Sequence, residues 1–175
     1  MSGSIIIYSS TDGQTKFICE KIKSFSKNSE SIKLISLKEA NDFNLQSYDD
    51  IIIGASIRYG KHNKDLYKFI SSNKELLLNK RSAFFSVNVV ARKPEKNTPE
   101  TNPYIQKFLK ISKWRPDKIG VFAGKVDYPK YGFFDKHIIK FIMFITKGPT
   151  DTSRSFEFTD WSKVEDFSKE LNLSH

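Results

Sequence analysis

The sequence predicts an α/β domain in which five mostly parallel strands, in the order 2-1-3-4-5, carry helices on both faces. Three observations lead there. Apolar runs alternate with helical patterns along the chain. The central runs, Ile51-Ile52-Ile53-Gly54 and Ala83-Phe84-Phe85, are continuously apolar, as strands covered on both faces must be. The first run leads straight into a loop of hydroxyls and one glycine before a helical pattern begins.

In chain order, the first strand is expected near residues 4–8, followed by a helix near 14–26 that gathers Phe17, Ile18, Ile22 and Phe25 on one face. The second strand, near 31–36, carries Ser31, Lys33 and Ser36 and reads as an edge. The third and fourth lie near 50–54 and 82–88, with a helix near 64–78 between them. A proline-punctuated loop over 92–103 hands over to a helix near 102–113, with Asn102 as N-cap and Pro103 at the first helical position. The fifth strand is expected near 119–123. Asp160 caps a last helix near 161–172, which buries Trp161, Val164, Phe167 and Leu171.

Segment 125–153 breaks this alternation and separates the fifth strand from a short strand-like piece, Arg154-Ser155-Phe156-Glu157-Phe158. The fifth strand is therefore expected to be split by a helical insertion. Within it, Phe133 to Ile145 is apolar around most of a helical circumference, with Lys136, Lys140 and Lys147 on one narrow stripe. Such a helix falls short of the roughly 20 apolar residues that span a bilayer. Two placements stay open. Residues 133–146 either lie in the interface of an anionic membrane or pack against the domain or a second copy in a homo-oligomer.

With 175 residues, 38% hydrophobic and 14% aromatic, the chain suits one domain over 1–175 with a sizeable core. The lone cysteine, Cys19, excludes an intramolecular disulfide and any multi-cysteine metal site, and its place on the first helix reads as packing. No secretion signal is visible in the short first apolar run, so a reducing, cytoplasmic setting is expected. The net charge of +9 asks for an anionic partner. Dispersed lysines and the lack of any nucleic-acid module argue against nucleic acid, which leaves lipid or an acidic small molecule. His62, His137 and His175 lack metal-ligand spacing, and no catalytic triad assembles. Cofactor-borne redox chemistry survives these exclusions.

Three loops are expected to meet at the carboxyl ends of strands one, three and four, where ligands of such sheets bind. The first, Ser10-Thr11-Asp12-Gly13-Gln14-Thr15, suits a phosphate monoester. A helix N-terminus offers free amides and a positive dipole end, hydroxyls add donors, and Gly13 lets the backbone wrap closely. The competing role is plain helix capping. This loop has neither the Gly-Lys-Ser/Thr end of a P-loop nor the spaced glycines of the dinucleotide fingerprint. In the second loop, Ser56-Ile57-Arg58-Tyr59-Gly60, Tyr59 can stack on a planar ring and Arg58 can place charge near a ring oxygen or a substrate acid. The third, Ser86-Val87-Asn88-Val89-Val90-Ala91-Arg92, presents amides and carbonyls beside Asn88 that suit the polar edge of a flavin. Arg92, Lys93 and Lys96 are candidates for holding a substrate's carboxylates.

With Tyr8, Ser10, Gly13 and Thr15 in register, the opening segment resembles the flavodoxin signature, although Cys19 and Glu20 stand where that pattern has alanine and an aliphatic residue. Further stretches are similar to one branch of that superfamily, the menaquinone-dependent protoporphyrinogen oxidases of bacterial haem synthesis. They are Ile-Gly-Ala-Ser-Ile-Arg-Tyr-Gly at 53–60, the run from Ser86 to Pro99, Trp-Arg-Pro-Asp at 114–117, and Gly148 with Thr150-Asp151-Thr152. The resemblance covers nearly the whole chain.

It implies a flavodoxin-like fold with a long-chain insertion over 125–153, and FMN as cofactor. Ser10 to Thr15 would hold the FMN phosphate, and 56–60 and 86–92 would flank the isoalloxazine. It also implies oxidation of protoporphyrinogen IX to protoporphyrin IX, with electrons passed to menaquinone or another quinone. The enzyme would then sit peripherally on the cytoplasmic face of the cell membrane. The +9 charge suits both a dianionic substrate and an anionic membrane. Competing readings are a flavodoxin-type electron carrier, whose surface is usually acidic, and an NAD(P)H:quinone reductase, for which no nicotinamide motif is visible. A flavin-free interaction domain is a further one.

Overall fold

A computed structural model describes residues 3–173, so His175 lies outside the described residues. In chain order the elements are β1 (Ser4–Ser9), α1 (Gln14–Phe25), β2 (Ile32–Ser36), α2 (Leu37–Ala40), β3 (Asp50–Ser56), α3 (Lys64–Ser72), α4 (Lys74–Asn79) and β4 (Arg81–Val87). They continue with α5 (Pro103–Ser112), β5 (Lys118–Phe122), β6 (Lys125–Asp127), α6 (Phe133–Ile145), β7 (Ser155–Glu157) and α7 (Trp161–Leu171). Strands β2-β1-β3-β4-β5 form one sheet in that order, and every neighbouring pair is parallel.

Successive strand residues point to opposite faces, so each isoleucine run feeds two cores. Ile5, Ile7, Ile51, Ile53 and Phe84 pack with Leu66, Phe69 and Ile70 of α3 and Ile105 and Phe108 of α5. Ile6, Ile52 and Phe85 pack with Ile18, Cys19 and Ile22 of α1 and Val164 and Phe167 of α7. Cys19 is fully buried, and burial pushes its thiol far up, which suits an inert packing residue.

Two expectations change. The helix expected near 64–78 is two helices, because the Asn73 backbone N–H bonds Phe69 O and Ile70 O and its side-chain amide also donates to Phe69 O, which closes α3. Nor does the piece after the insertion complete a split fifth strand. β7 pairs antiparallel with β6, in a two-stranded ribbon separate from the main sheet. The cause lies in β4. The Asn88 N–H bonds Phe122 O, then the chain turns into a 3-10 turn over Val89–Arg92, so residues beyond Phe122 have no neighbour to extend the ladder. The returning strand supplies one.

Between β6 and β7 rises α6. Met143 is its one buried side chain, seated in a small cluster with Val126, Tyr128 and Tyr131. The helix ends at Ile145, and Lys147 is left-handed with φ 57°, so only Lys136 and Lys140 of the expected stripe stand on the helix itself. No helix among the described residues is long and apolar enough to cross a membrane.

Candidate functional site

At the carboxyl end of the sheet, the loops after β1, β3 and β4 enclose a small cavity of about 40 Å³ lined by Ser10, Thr11, Asp12, Gln14, Thr15, Ser56, Ile57 and Asn88. One helix end opens onto it. The side chains of Ser36, Asn63, Asn102 and Asp160 cap α2, α3, α5 and α7, whereas Gly13 caps α1 with backbone alone. Gly13 is left-handed, with φ 91°, a conformation that a β-carbon disfavours. Ser10 Oγ accepts from the Gly13 N–H at 3.0 Å and shapes the turn without closing the helix. Thr15, 1% exposed, has an Oγ1 with no hydrogen-bond partner among the described residues. A buried hydroxyl without a partner costs free energy unless something satisfies it. Free first-turn amides, this orphaned hydroxyl and a glycine turn fit a phosphate monoester. They fit the phosphate end of FMN.

Beside this cradle lies a second cavity, about 110 Å³, between the loops and α6. Its walls include Ile57, Tyr59, Val89, Val90 and Tyr104, and Ile139, Ile142 and Met143 of α6 form its roof. The polar cradle thus opens onto a mostly apolar slot edged by Arg58, Arg92 and Lys125, the order of polarity along a flavin nucleotide. A larger groove of about 550 Å³ opens between Arg81, Asp117 and Leu171, but it lies at the amino end of β4, away from where ligands of parallel sheets bind.

Charge in the site is concentrated on Arg58. Its guanidinium pairs with Asp12 at 2.6 Å and Asp135 at 2.9 Å and lies against the rings of Tyr59 and Tyr131. Tyr59 Oη donates to Asp135 as well. Burial pushes the Asp12 carboxyl above its ordinary pKa, against the pull of Arg58. Asp135 is held below the usual range, chiefly by the Tyr59 hydroxyl and then by Arg58. By pairing Asp12, Arg58 offsets a negative charge that would oppose a phosphate.

The loop after β4 divides into wall and support. Val87, Asn88 and Val89 face the inner cavity, while Val90 and Arg92 face the outer one. Ser86 and Ala91, expected on the wall, stand behind it. Ser86 Oγ accepts from Asn88 Nδ2 at 3.2 Å and lies 3.0 Å from His62 Nε2, and the Ala91 N–H bonds Asn88 Oδ1 at 3.1 Å. Strand alternation turns Ser86 inward, and its role is to orient Asn88. The guanidinium of Arg92 is committed to Val89 O at 3.0 Å and Thr146 O at 2.7 Å. Lys93 and Lys96 lie on the next short turn, outside both cavities.

Sequence reasoning missed Asp135, Tyr131, Ile139, Met143 and Tyr104. The insertion was visible, but nothing local told which side of α6 would turn inward.

This sheet, with its open helix terminus and adjoining slot, fits FMN, and the chain's similarities to known proteins make it an FMN-type flavin oxidoreductase. The chain belongs to the flavodoxin domain family, matched over residues 5–153. It is 39% identical over 171 residues to protoporphyrinogen IX dehydrogenase (quinone) of Escherichia coli strain K12, covering 95% of this chain and 93% of that protein. A Leishmania major protein of the same name is 40% identical over 169 residues, covering 95% of this chain and 73% of that one. Among solved structures, oxidised flavodoxin 1 from Bacillus cereus aligns with a TM-score of 0.55 at 17% identity, over 97% of each chain. Two-electron reduced Megasphaera elsdenii flavodoxin aligns at 0.53 and 12%, over 69% of this chain and 85% of that one. Identities this low speak for the fold alone.

Proposed function

We propose that the protein oxidises protoporphyrinogen IX to protoporphyrin IX with FMN and passes the electrons to a membrane quinone, menaquinone or another, in haem synthesis. The observation that carries this reading is the 39% identity, over 95% of the chain, to an enzyme named for that reaction. When bound, FMN supplies the two-electron acceptor for breaking a substrate C–H bond. The chain's residues supply position and seclusion. The amides of α1 and the hydroxyls of Ser10, Thr11 and Thr15 hold the phosphate. Residues 56–60 and 87–90 would flank the ring system, Asn88 holds the third loop in shape through its bonds to Ser86, Ala91 and Asn102, and the apolar roof of α6 would exclude water. Of the three cations considered for the propionates, Arg92 lines the pocket but spends its guanidinium on Val89 O and Thr146 O, and Lys93 and Lys96 lie farther out.

The outer face of α6 suits an anionic bilayer. Phe134, Ile138, Phe141 and Ile145 recur at i, i+4, i+7 and i+11 and are 79%, 45%, 63% and 61% exposed. Lys136 and Lys140 stand on the far side of the helix from this stripe, and the attraction to an anionic surface comes from the whole chain's charge of +9. An interfacial helix of this kind would hold the enzyme where quinone is dissolved. The same face fits a second copy of the chain less well, because each copy carries a net charge of +9.

An anaerobic assay tests the reading. Protoporphyrinogen IX is supplied with a menaquinone analogue, with NADH and with an electron-transfer partner in parallel. Porphyrin fluorescence should rise with quinone alone. Comparable oxidation of NADH would replace this reading with an NAD(P)H:quinone reductase, and transfer confined to a protein partner would replace it with an electron carrier.

A further inference from the structure

The helix roofing the flavin-side cavity is pinned at both ends, each time by an arginine from a different loop. At its far end Arg92 Nη2 donates to Thr146 O at 2.7 Å and Thr146 Oγ1 at 3.1 Å, and the Gly148 N–H bonds Met143 O at 2.7 Å. These are backbone-anchored bonds. At its first turn the attachment is of another kind. Arg58, on a tight turn closed by paired bonds with Lys61, reaches Asp135 on α6 and Asp12 on the phosphate-side loop. The Arg58 and Asp135 side chains are 20% and 42% exposed, so solvent and salt reach this pair.

The space beneath the helix gives the contrast meaning. It measures about 110 Å³, against the roughly 300–1,000 Å³ of ordinary small-molecule sites. A planar ring system needs more room than this, and the end that can lift without breaking a bond to backbone is the first turn, where Asp135 is held by the side chains of Arg58 and Tyr59 alone.

We propose that Arg58 is a positioning residue: through Asp135 it latches the first turn of α6 over the pocket, through Asp12 it ties that turn to the phosphate loop, and release of this latch gates ligand entry. The inference rests on the FMN site proposed above. It assigns to Arg58 a structural partnership with two carboxylates, where the sequence suggested a free charge aimed at a ring oxygen or a substrate acid. The hinge lies at the Arg92 end.

The test compares wild type with Asp135→Asn, Arg58→Gln and Arg58→Lys. Trypsin cleavage at Lys136 and Lys140 is followed first, on protein without added flavin, at low and high sodium chloride. FMN association and dissociation rates are then followed by flavin fluorescence. Asp135→Asn should speed cleavage three- to tenfold at low salt and raise both FMN rates by a similar factor, leaving their ratio nearly unchanged. Wild type should approach the variant at high salt, and Arg58→Lys should recover part of the protection that Arg58→Gln loses. Equal cleavage in wild type and Asp135→Asn, or wild-type protection unaffected by salt, overturns the latch. Should FMN fail to bind any of the proteins, the function proposed above falls while the cleavage comparison still decides on the latch.

Discussion

The parallel sheet and the arm that carries α6 are equally apolar in sequence and opposite in burial. Ile5, Ile6, Ile7, Ile51 and Ile53 are 0% exposed, whereas Phe133, Phe134, Phe141 and Phe144 of α6 are 63–79% exposed. Composition therefore does not decide which apolar segment becomes core. In the sheet, β1, β3 and β4 are each flanked by two other strands and covered by helices on both faces, so their apolar side chains have a layer to enter. The arm leaves the sheet where the ladder runs out, and one helix seated on a two-stranded ribbon can bury only one side. The sheet is closed on both faces, whereas the arm keeps one apolar face open.

The sharpest way to break this contrast is to overpack the sheet. A β-carbon at Gly54 would lie 2.2 Å from Phe85 Cζ, and Phe85 is fully buried against the rings of Phe122 and Phe167. Gly54→Ala should cost on the order of 3 kcal/mol in urea unfolding, whereas Phe141→Ala on the arm should stay within about 0.5 kcal/mol. Equal costs would mean that the two regions do not differ in packing.

A second test reads the core through pH. His62 is 4% exposed, ringed by Tyr67, Phe84 and Phe108, and burial pushes its pKa down to about 4, with a smaller push from Lys107. In the unfolded chain an imidazole titrates near pH 6.5. Between roughly pH 6.5 and 4 the unfolded state therefore binds the extra proton, and stability falls as pH drops through that window. The loss from this one group is at most about 3 kcal/mol. Urea midpoints from pH 7 to 4 should fall more steeply in wild type than in His62→Gln. Parallel slopes would show that His62 is not held neutral by its surroundings.

These two regions also differ in how far the sequence disclosed them. Five strands and the strand–loop–helix around Ser10 to Thr15 were legible because their signals are local. An isoleucine run, three hydroxyls, one glycine and a helix follow within about twenty residues, and each obeys its own short-range rule. The break at Asn73 was not legible, since Lys64 to Leu78 keeps its apolar spacing across it. Pairing of β7 with β6 depends on where a neighbouring strand stops, and α6 is apolar on too many sides for its pattern to choose an inner face. The Arg58–Asp135 contact joins residues far apart in sequence, so no spacing rule could announce it. Support and wall within 86–92 separate only once strand register is known.

Thr15 tests the closed region's chemistry at smaller cost. Thr15→Val keeps the shape of the side chain and removes the orphaned hydroxyl. FMN affinity should fall about tenfold to a hundredfold, and riboflavin, which lacks the phosphate, should bind as it does to wild type. Flavin fluorescence titration reads both. Equal losses for the two ligands would reassign Thr15 to packing.

The smallest expected change in stability belongs to the arm, where the expected change in function is large. Phe134→Glu with Phe141→Glu places two carboxylates on the outward stripe, which touches little of the fold, so unfolding should move by no more than about 0.5 kcal/mol. Flotation with vesicles of anionic lipid should lose most of the bound protein, because the substitutions remove buried apolar area and add repulsion from the headgroups. Lys136→Gln with Lys140→Gln should weaken binding less, and mainly at low salt, since it removes only the electrostatic part. Binding that survives both glutamates would remove the stripe as the lipid-facing surface. A concentration-dependent dimer seen by sedimentation in wild type and absent in the double glutamate variant would then give that surface to a second copy of the chain.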